Sequence, residues 1–114
     1  MSTQANDLTP MFETTNGKTI YTRPMFDHTD HDGGRGWEVL VGVTEGRAPE
    51  RVCTVAVDRP FLSASREFQP KVNWSAWGAQ APETAAAFAE ALQFAAQFAH
   101  DETVNLTAEE GASA

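Results

Sequence analysis

Residues 11–22 read MFETTNGKTIYT, and they decide how the chain begins to fold. An Asn-Gly pair separates two runs rich in β-branched and aromatic residues, which is the strongest short signal for a β-hairpin. A two-residue type I′ turn needs positive φ at both central residues, and Asn and Gly tolerate it. The sequence therefore predicts strands over about 11–15 and 18–23, with Pro24 ending the second strand.

Alternation of apolar and polar residues continues beyond this hairpin. In WEVLVGV, residues 37–43, Trp37 and Val39 share one face while Glu38 and Leu40 share the other, which indicates a half-buried strand. RVCTVAVD, residues 51–58, is apolar on both faces at several positions and is typical of a central strand. KVNWSAW, residues 71–77, alternates again. The sequence therefore predicts an antiparallel meander of four to five strands.

From Pro82 onwards the apolar period becomes that of a helix. Pro82 suits the first helical position, and Glu83 complements the positive end of the helix dipole. The predicted packing face consists of large apolar residues flanked by alanines: Phe88, Leu92, Phe94 and Phe98. Because no helix precedes the strands, the predicted fold class is α+β, with one C-terminal helix packed on one face of the meander.

The length of 114 residues fits one domain. We assign residues 10–106 to a single α+β domain, residues 1–9 to a flexible N-terminus and residues 107–114, TAEEGASA, to a flexible acidic tail. No run approaches the ~20 apolar residues of a membrane span, and MSTQANDLTP lacks the pattern of a signal peptide. We therefore expect a cytoplasmic protein without a membrane partner.

The net charge of −8 is unevenly distributed along the sequence. Residues 14–100 contain ten acidic and eight basic residues, a net of −2, so most of the acidity belongs to the terminal segments. This distribution argues against a uniformly acidic face, although an acidic decoy of nucleic acid remains an alternative function. No basic patch with interleaved aromatic residues is present, so direct binding to nucleic acid is not expected.

The segment FDHTDHDGGRGW, residues 26–37, is the main candidate for a metal site. Its potential ligands are imidazoles and carboxylates: His28, His31, Asp30 and Asp32. However, the glycines disfavour a helix here, and only His100 could supply a third imidazole from another element. Three interpretations stay open, namely a solvated connection between strands, a contact loop and a metal site. The sequence favours the connection, so we expect no metal and no cofactor.

Catalytic signals are weak throughout the sequence. Cys53 lies within an apolar strand, where a buried thiol is the usual state. The serines do not occupy a G-x-S-x-G turn, and GGRG lacks the lysine and the following helix of a phosphate-binding loop. The sequence therefore predicts no catalytic residue and a protein that is not an enzyme.

Four side chains are candidates for contact with a protein partner: Trp37, Trp74, Trp77 and Arg35. Trp74 and Trp77 are three positions apart, so within a strand they face opposite sides of the sheet. One helix covers one face only, so the second face, with Leu40 and one of these tryptophans, is predicted to contact a partner or a second subunit. Homodimerisation is therefore one way to cover the sheet.

The C-terminal segment VNWSAWGAQAPETAAAFAEALQFAAQFAH resembles the ending of small uncharacterised proteins from high-GC actinobacteria and their phages. The 18 alanines and the six arginines against two lysines agree with such a genome. The resemblance implies an accessory protein, phage-encoded or actinobacterial, that modulates a host protein. We therefore predict a small non-enzymatic protein-interaction module, with metal binding through His28 and His31 as the alternative.

Overall fold

The chain folds into an antiparallel sheet with one helix across it, as a computed structural model shows. The structure describes residues 7–29, 33–42, 46, 48–59, 67–74 and 81–113. The elements are β1 (Thr9–Glu13), β2 (Thr19–Asp27), β3 (Arg35–Val41), β4 (Glu50–Asp58), β5 (Gln69–Trp74) and α1 (Pro82–Ser113). The strands lie in the order β1-β2-β3-β4-β5, and each pair of neighbours is antiparallel. The predicted α+β meander with one C-terminal helix is confirmed.

The hairpin between β1 and β2 has a three-residue loop. Thr14 donates its N–H to the carbonyl of Lys18 at 2.7 Å, and Gly17 donates to the carbonyl of Thr14 at 2.9 Å. Gly17 follows this turn in the left-handed region, with φ at 84°. The Thr14 hydroxyl accepts the N–H of Lys18 and donates to Asn16 Oδ1, which stabilises the longer loop. The predicted two-residue turn is therefore wrong.

Pro24 does not end β2, which continues to Asp27. The pairing with β3 shifts by one residue between Pro24 and Phe26, which places a bulge at Met25. The last β2 residue in the described pairing with β1 is Thr22, so Pro24 lies where only β3 pairs with the strand. A missing N–H is tolerated in such a position, and a bulge accommodates it further. The predicted end at Pro24 is wrong.

Helix α1 faces the sheet through a row of alanines. Ala87, Ala91, Ala95 and Ala99 recur at every fourth residue and are all buried. They lie in one cluster with core residues of the strands, including Ile20, Val39, Val41 and Val55. A methyl side chain allows the helix backbone to approach the sheet closely, so this row lies at the centre of the interface.

The phenylalanines of α1 lie beside this row rather than at its centre. Phe94 packs against Phe12 with ring centroids 5.3 Å apart, and Phe98 meets Trp37 edge-on at 5.0 Å. Both phenylalanines are only partly buried. The prediction that the phenylalanines form the packing face and the alanines flank it is therefore wrong. The twisted sheet leaves room for the rings only beside the line of closest approach.

The helix continues through most of the segment that the sequence assigns to a flexible acidic tail, since it ends at Ser113. It carries six acidic residues and no lysine or arginine: Glu83, Glu90, Asp101, Glu102, Glu109 and Glu110. The acidity of the chain therefore lies largely on an ordered helix. Of the predicted flexible N-terminus, residues 1–6 are outside the described part, whereas Thr9 already begins β1.

Both halves of α1 are also bound to the sheet by polar contacts. Thr15 donates its N–H and its hydroxyl to the carboxylate of Glu90 at 3.1–3.2 Å, and Asn16 donates to the carbonyl of Glu83 at 2.6 Å. Near the other end, Arg35 pairs with Glu109.

No helix in the described part of the chain is both long and apolar enough to span a membrane.

Candidate interaction surface

The connection between β2 and β3 begins as a continuation of the hairpin ladder. His28 donates its N–H to the carbonyl of Gly34 at 2.8 Å, and Gly33 donates to the carbonyl of His28 at 2.9 Å. Asp27 Oδ1 accepts the N–H and the hydroxyl of Thr29, and these bonds are the main reason that the pKa of Asp27 is lowered. Asp27 therefore serves the local turn, as the sequence predicts for an aspartate in a connection.

Only part of the candidate metal segment lies in the described structure. His28 is exposed, and its ring stacks on Phe26 with centroids 5.2 Å apart. Within residues 7–29, 33–42 and the later described ranges, no group of three or more His, Cys, Asp and Glu side chains could hold a metal ion. The other predicted ligands, Asp30, His31 and Asp32, lie outside the described residues. Metal binding at this loop stays an alternative prediction.

Two of the four predicted contact residues are engaged inside the molecule. Trp37 is half-buried against Phe98. Arg35 donates to both carboxylate oxygens of Glu109 at 3.1 and 3.2 Å and to Asp27 at 3.1 Å. The hydrogen bond to Glu109 is the main reason that the pKa of Arg35 is raised. Both residues therefore hold the fold together.

The other two candidates are the tryptophans near the end of β5. Trp77 lies outside the described residues. Trp74 is 63% exposed, which is unusual for a side chain that buries 150–250 Å² when it is enclosed. Trp74 is therefore the predicted contact residue that the structure leaves accessible.

The sheet face opposite α1 is more polar than predicted. Leu40 is only 3% exposed, so the hypothesis that it contacts a partner is wrong. Glu38 accepts an ion pair from Arg23 at 2.8 Å and a weaker one from Arg51 at 3.4 Å, which joins three neighbouring strands. Charged side chains that are paired across strands suit a solvated sheet face.

A cleft lies beside Trp74, between β4 and β5. In the described pairing of these strands, Cys53 pairs with Trp74. The cleft has a volume of about 430 Å³ and is lined by Arg51, Val52, Cys53, Thr54, Asn73 and Trp74. The side chain of Arg51 is 61% exposed, so a tryptophan and an arginine lie together at an accessible sheet edge. These two residue types dominate the binding energy of protein interfaces.

A bulge in β4 positions the cleft. Neither this bulge nor Arg51 as a contact residue was predicted from the sequence. Val39 pairs with Cys53 whereas Leu40 pairs with Arg51, so Val52 is the extra residue. As a result, Val52 and Cys53 are both buried although they are neighbours in a strand. Two consecutive apolar residues interrupt the alternation of a strand, so this pair was the signal in the sequence for a bulge.

The thiol of Cys53 should be unreactive although it lines the cleft. Burial raises its pKa from 9.0 to about 11, which lowers the thiolate fraction near neutral pH by about a hundredfold. We expect a disulfide reagent to modify Cys53 at least about a hundred times more slowly in folded protein than in urea. Absorbance of the released thiolate measures both rates, and equal rates would contradict a buried thiol.

Comparisons with models of known protein families, with curated proteins and with solved structures find no match for this chain. The fold and its exposed side chains are therefore the basis on which a function is proposed.

Proposed function

We propose that this chain is a small non-enzymatic protein-interaction module that contacts its partner through Trp74 and Arg51. The observation that carries the proposal is the 63% exposure of Trp74 beside a cleft at the sheet edge. An exposed indole gains free energy when a partner encloses it, because the hydrophobic contribution grows with the apolar area removed from water. The neighbouring arginine adds a planar, charged hydrogen-bond donor.

Comparison with the other exposed apolar side chains favours this surface. Met11 and Met25 are exposed by 38% and 45%, and Val104 on α1 by 55%. Each of these is smaller or more flexible than tryptophan, and single exposed apolar residues are common on soluble proteins. Trp74 has the largest rigid apolar surface of the four, and it lines the same cleft as Arg51. This combination supports a partner that is a protein.

The proposal includes an accessory role in the cytoplasm, with a host protein as the target of a phage-encoded or actinobacterial chain. Its support is the resemblance of the C-terminal residues to the endings of such proteins. A homodimer is the competing occupant of the cleft. Both edge strands contain a proline, Pro10 in β1 and Pro70 in β5, which disfavours dimerisation through continuous pairing of two sheet edges.

Replacing Trp74 with alanine should weaken binding to the partner strongly and leave the fold intact. We expect the melting temperature to change by less than about 3 °C, since the side chain is mostly exposed. Affinity for the partner should fall by about thirtyfold or more, which corresponds to a hot-spot contribution of about 2 kcal/mol. Quantitative cross-linking in cells identifies the partner, and calorimetry with the purified partner measures its affinity.

Val104→Ala is the matched control, because Val104 is also exposed but lies on α1. It should leave affinity for the partner unchanged. A partner that binds wild type and Trp74→Ala equally well would contradict the proposed surface. A mass that falls from dimer to monomer in Trp74→Ala, without a separate partner, would instead assign the cleft to a second copy of the chain.

A further inference from the structure

The last part of α1, residues 101–113, has a sequence that is poorly suited to an isolated helix. It reads DETVNLTAEEGAS and contains β-branched residues, an asparagine and a glycine, all of which have low helix propensity. Glu109 and Glu110 lie near the negative end of the helix dipole, and the last turn has no basic residue. Residues outside the helix must therefore stabilise this segment.

Two arginines from one end of the sheet provide that stabilisation. Arg35, at the start of β3, donates two hydrogen bonds to the carboxylate of Glu109. Arg59 follows β4 directly and forms an ion pair with Glu110. Its guanidinium group also lies 4.2 Å from the centre of the Phe68 ring. These contacts attach the helix end to the strands from which the arginines come.

Apolar packing contributes less here than in the first part of the helix. The alanine row at 87, 91, 95 and 99 belongs to the main core cluster. Beyond Ala99, Leu106 is the buried apolar residue of the described segment, and it is outside that cluster. The two parts of α1 are therefore held by different forces, since apolar burial dominates before residue 100 and charge pairing dominates after it.

We infer that residues 101–113 form an electrostatic clasp, which docks on the sheet and releases as one unit while residues 82–100 stay bound. The side chains of Glu109 and Glu110 are 56% and 57% exposed, and ion pairs of such exposed carboxylates are individually weak and are screened by salt. Salt also screens the repulsion between the two glutamates and the helix dipole. The ion pair between Arg35 and Glu109 joins full charges at 3.1 Å, whereas the dipole carries about half a charge, so the net effect of salt is release. This inference is independent of the Trp74 surface.

Hydrogen exchange of the full chain tests the clasp. Between about 50 mM and about 1 M sodium chloride, amides of residues 103–113 should exchange about tenfold faster, which corresponds to the loss of two weak ion pairs. Amides of residues 87–99 should not change. A salt response that is the same in both parts of the helix, or absent from both, would overturn the inference.

Variants identify the groups responsible. The double variant Arg35→Gln/Arg59→Gln should raise exchange of residues 103–113 at low salt and remove most of its salt dependence. Arg23→Gln, which breaks an ion pair with Glu38 on the opposite sheet face, is the matched control and should leave that segment unchanged. If the double variant does not fold, Glu109→Gln/Glu110→Gln breaks the same pairs from exposed positions of the helix. Persistence of the salt response in the folded variant would overturn the clasp.

Discussion

Gly34→Ala is expected to lower the free energy of unfolding by about 3 kcal/mol or more. A β-carbon at this position would overlap the backbone carbonyl of Val57 and would lie 2.7 Å from the Cα of Asp58. These atoms belong to the backbone of β4, so no side-chain rotation can relieve the overlap. The connection between β2 and β3, which contains Gly34, would have to move away from the end of β4. Urea denaturation followed by circular dichroism measures the loss.

Gly111→Ala is the control for this substitution. A β-carbon at Gly111 would meet no atom within 4 Å, and the residue lies in α1. Alanine has a higher helix propensity than glycine, so this variant should gain up to about 1 kcal/mol. The same chemical change should therefore have opposite effects at the two sites. Equal stability of Gly34→Ala and wild type would show that β3 and β4 do not approach as closely as the structure indicates.

Ala91→Leu is expected to cost about 1–3 kcal/mol, because it inserts three extra carbon atoms into the closest part of the interface between helix and sheet. Ala91 is fully buried in the main cluster. For a domain of 114 residues, the melting temperature should fall by about 4 °C for each kcal/mol lost. Differential scanning calorimetry measures both the temperature and the enthalpy of unfolding.

Ala89→Leu provides the matched comparison, since Ala89 is exposed on the other side of the same helical turn. Its stability should stay within about 0.5 kcal/mol of wild type. In the orientation predicted from the sequence, both alanines flank a phenylalanine face. Equal losses for Ala89→Leu and Ala91→Leu would restore that orientation of the helix.

The parts of the fold that could be predicted from the sequence depend on local signals. The Asn-Gly pair marked the first hairpin, alternation marked β3 and β5, an apolar run marked β4, and Pro82 marked the start of the helix. The parts that could not be predicted depend on side chains that meet only in the folded chain. The longer loop requires the hydroxyl of Thr14, and the continuation of the helix to Ser113 requires Arg35, which is 74 residues from Glu109 in sequence.

The candidate surface shows the same division. Strand alternation could place Trp74 in the last strand, but the sequence could not show which of the two tryptophans, Trp37 or Trp74, stays exposed. Only the position of Phe98 on the docked helix shows that Trp37 is covered and that Trp74 is not. Arg51 gave no signal of its own, because the sequence does not show that its side chain lines a cleft together with Trp74.

The contact between Thr15 and Glu90 has a consequence for synthesis of the chain on the ribosome. These residues are 75 positions apart, and the apolar face of the first hairpin is covered by a helix that is translated after the five described strands. At about 5–20 residues per second, Ile20 waits roughly 4 to 16 s before Ala99 has been added. The domain therefore completes its fold only after α1 has left the ribosome, and until then the nascent chain exposes its core to chaperones.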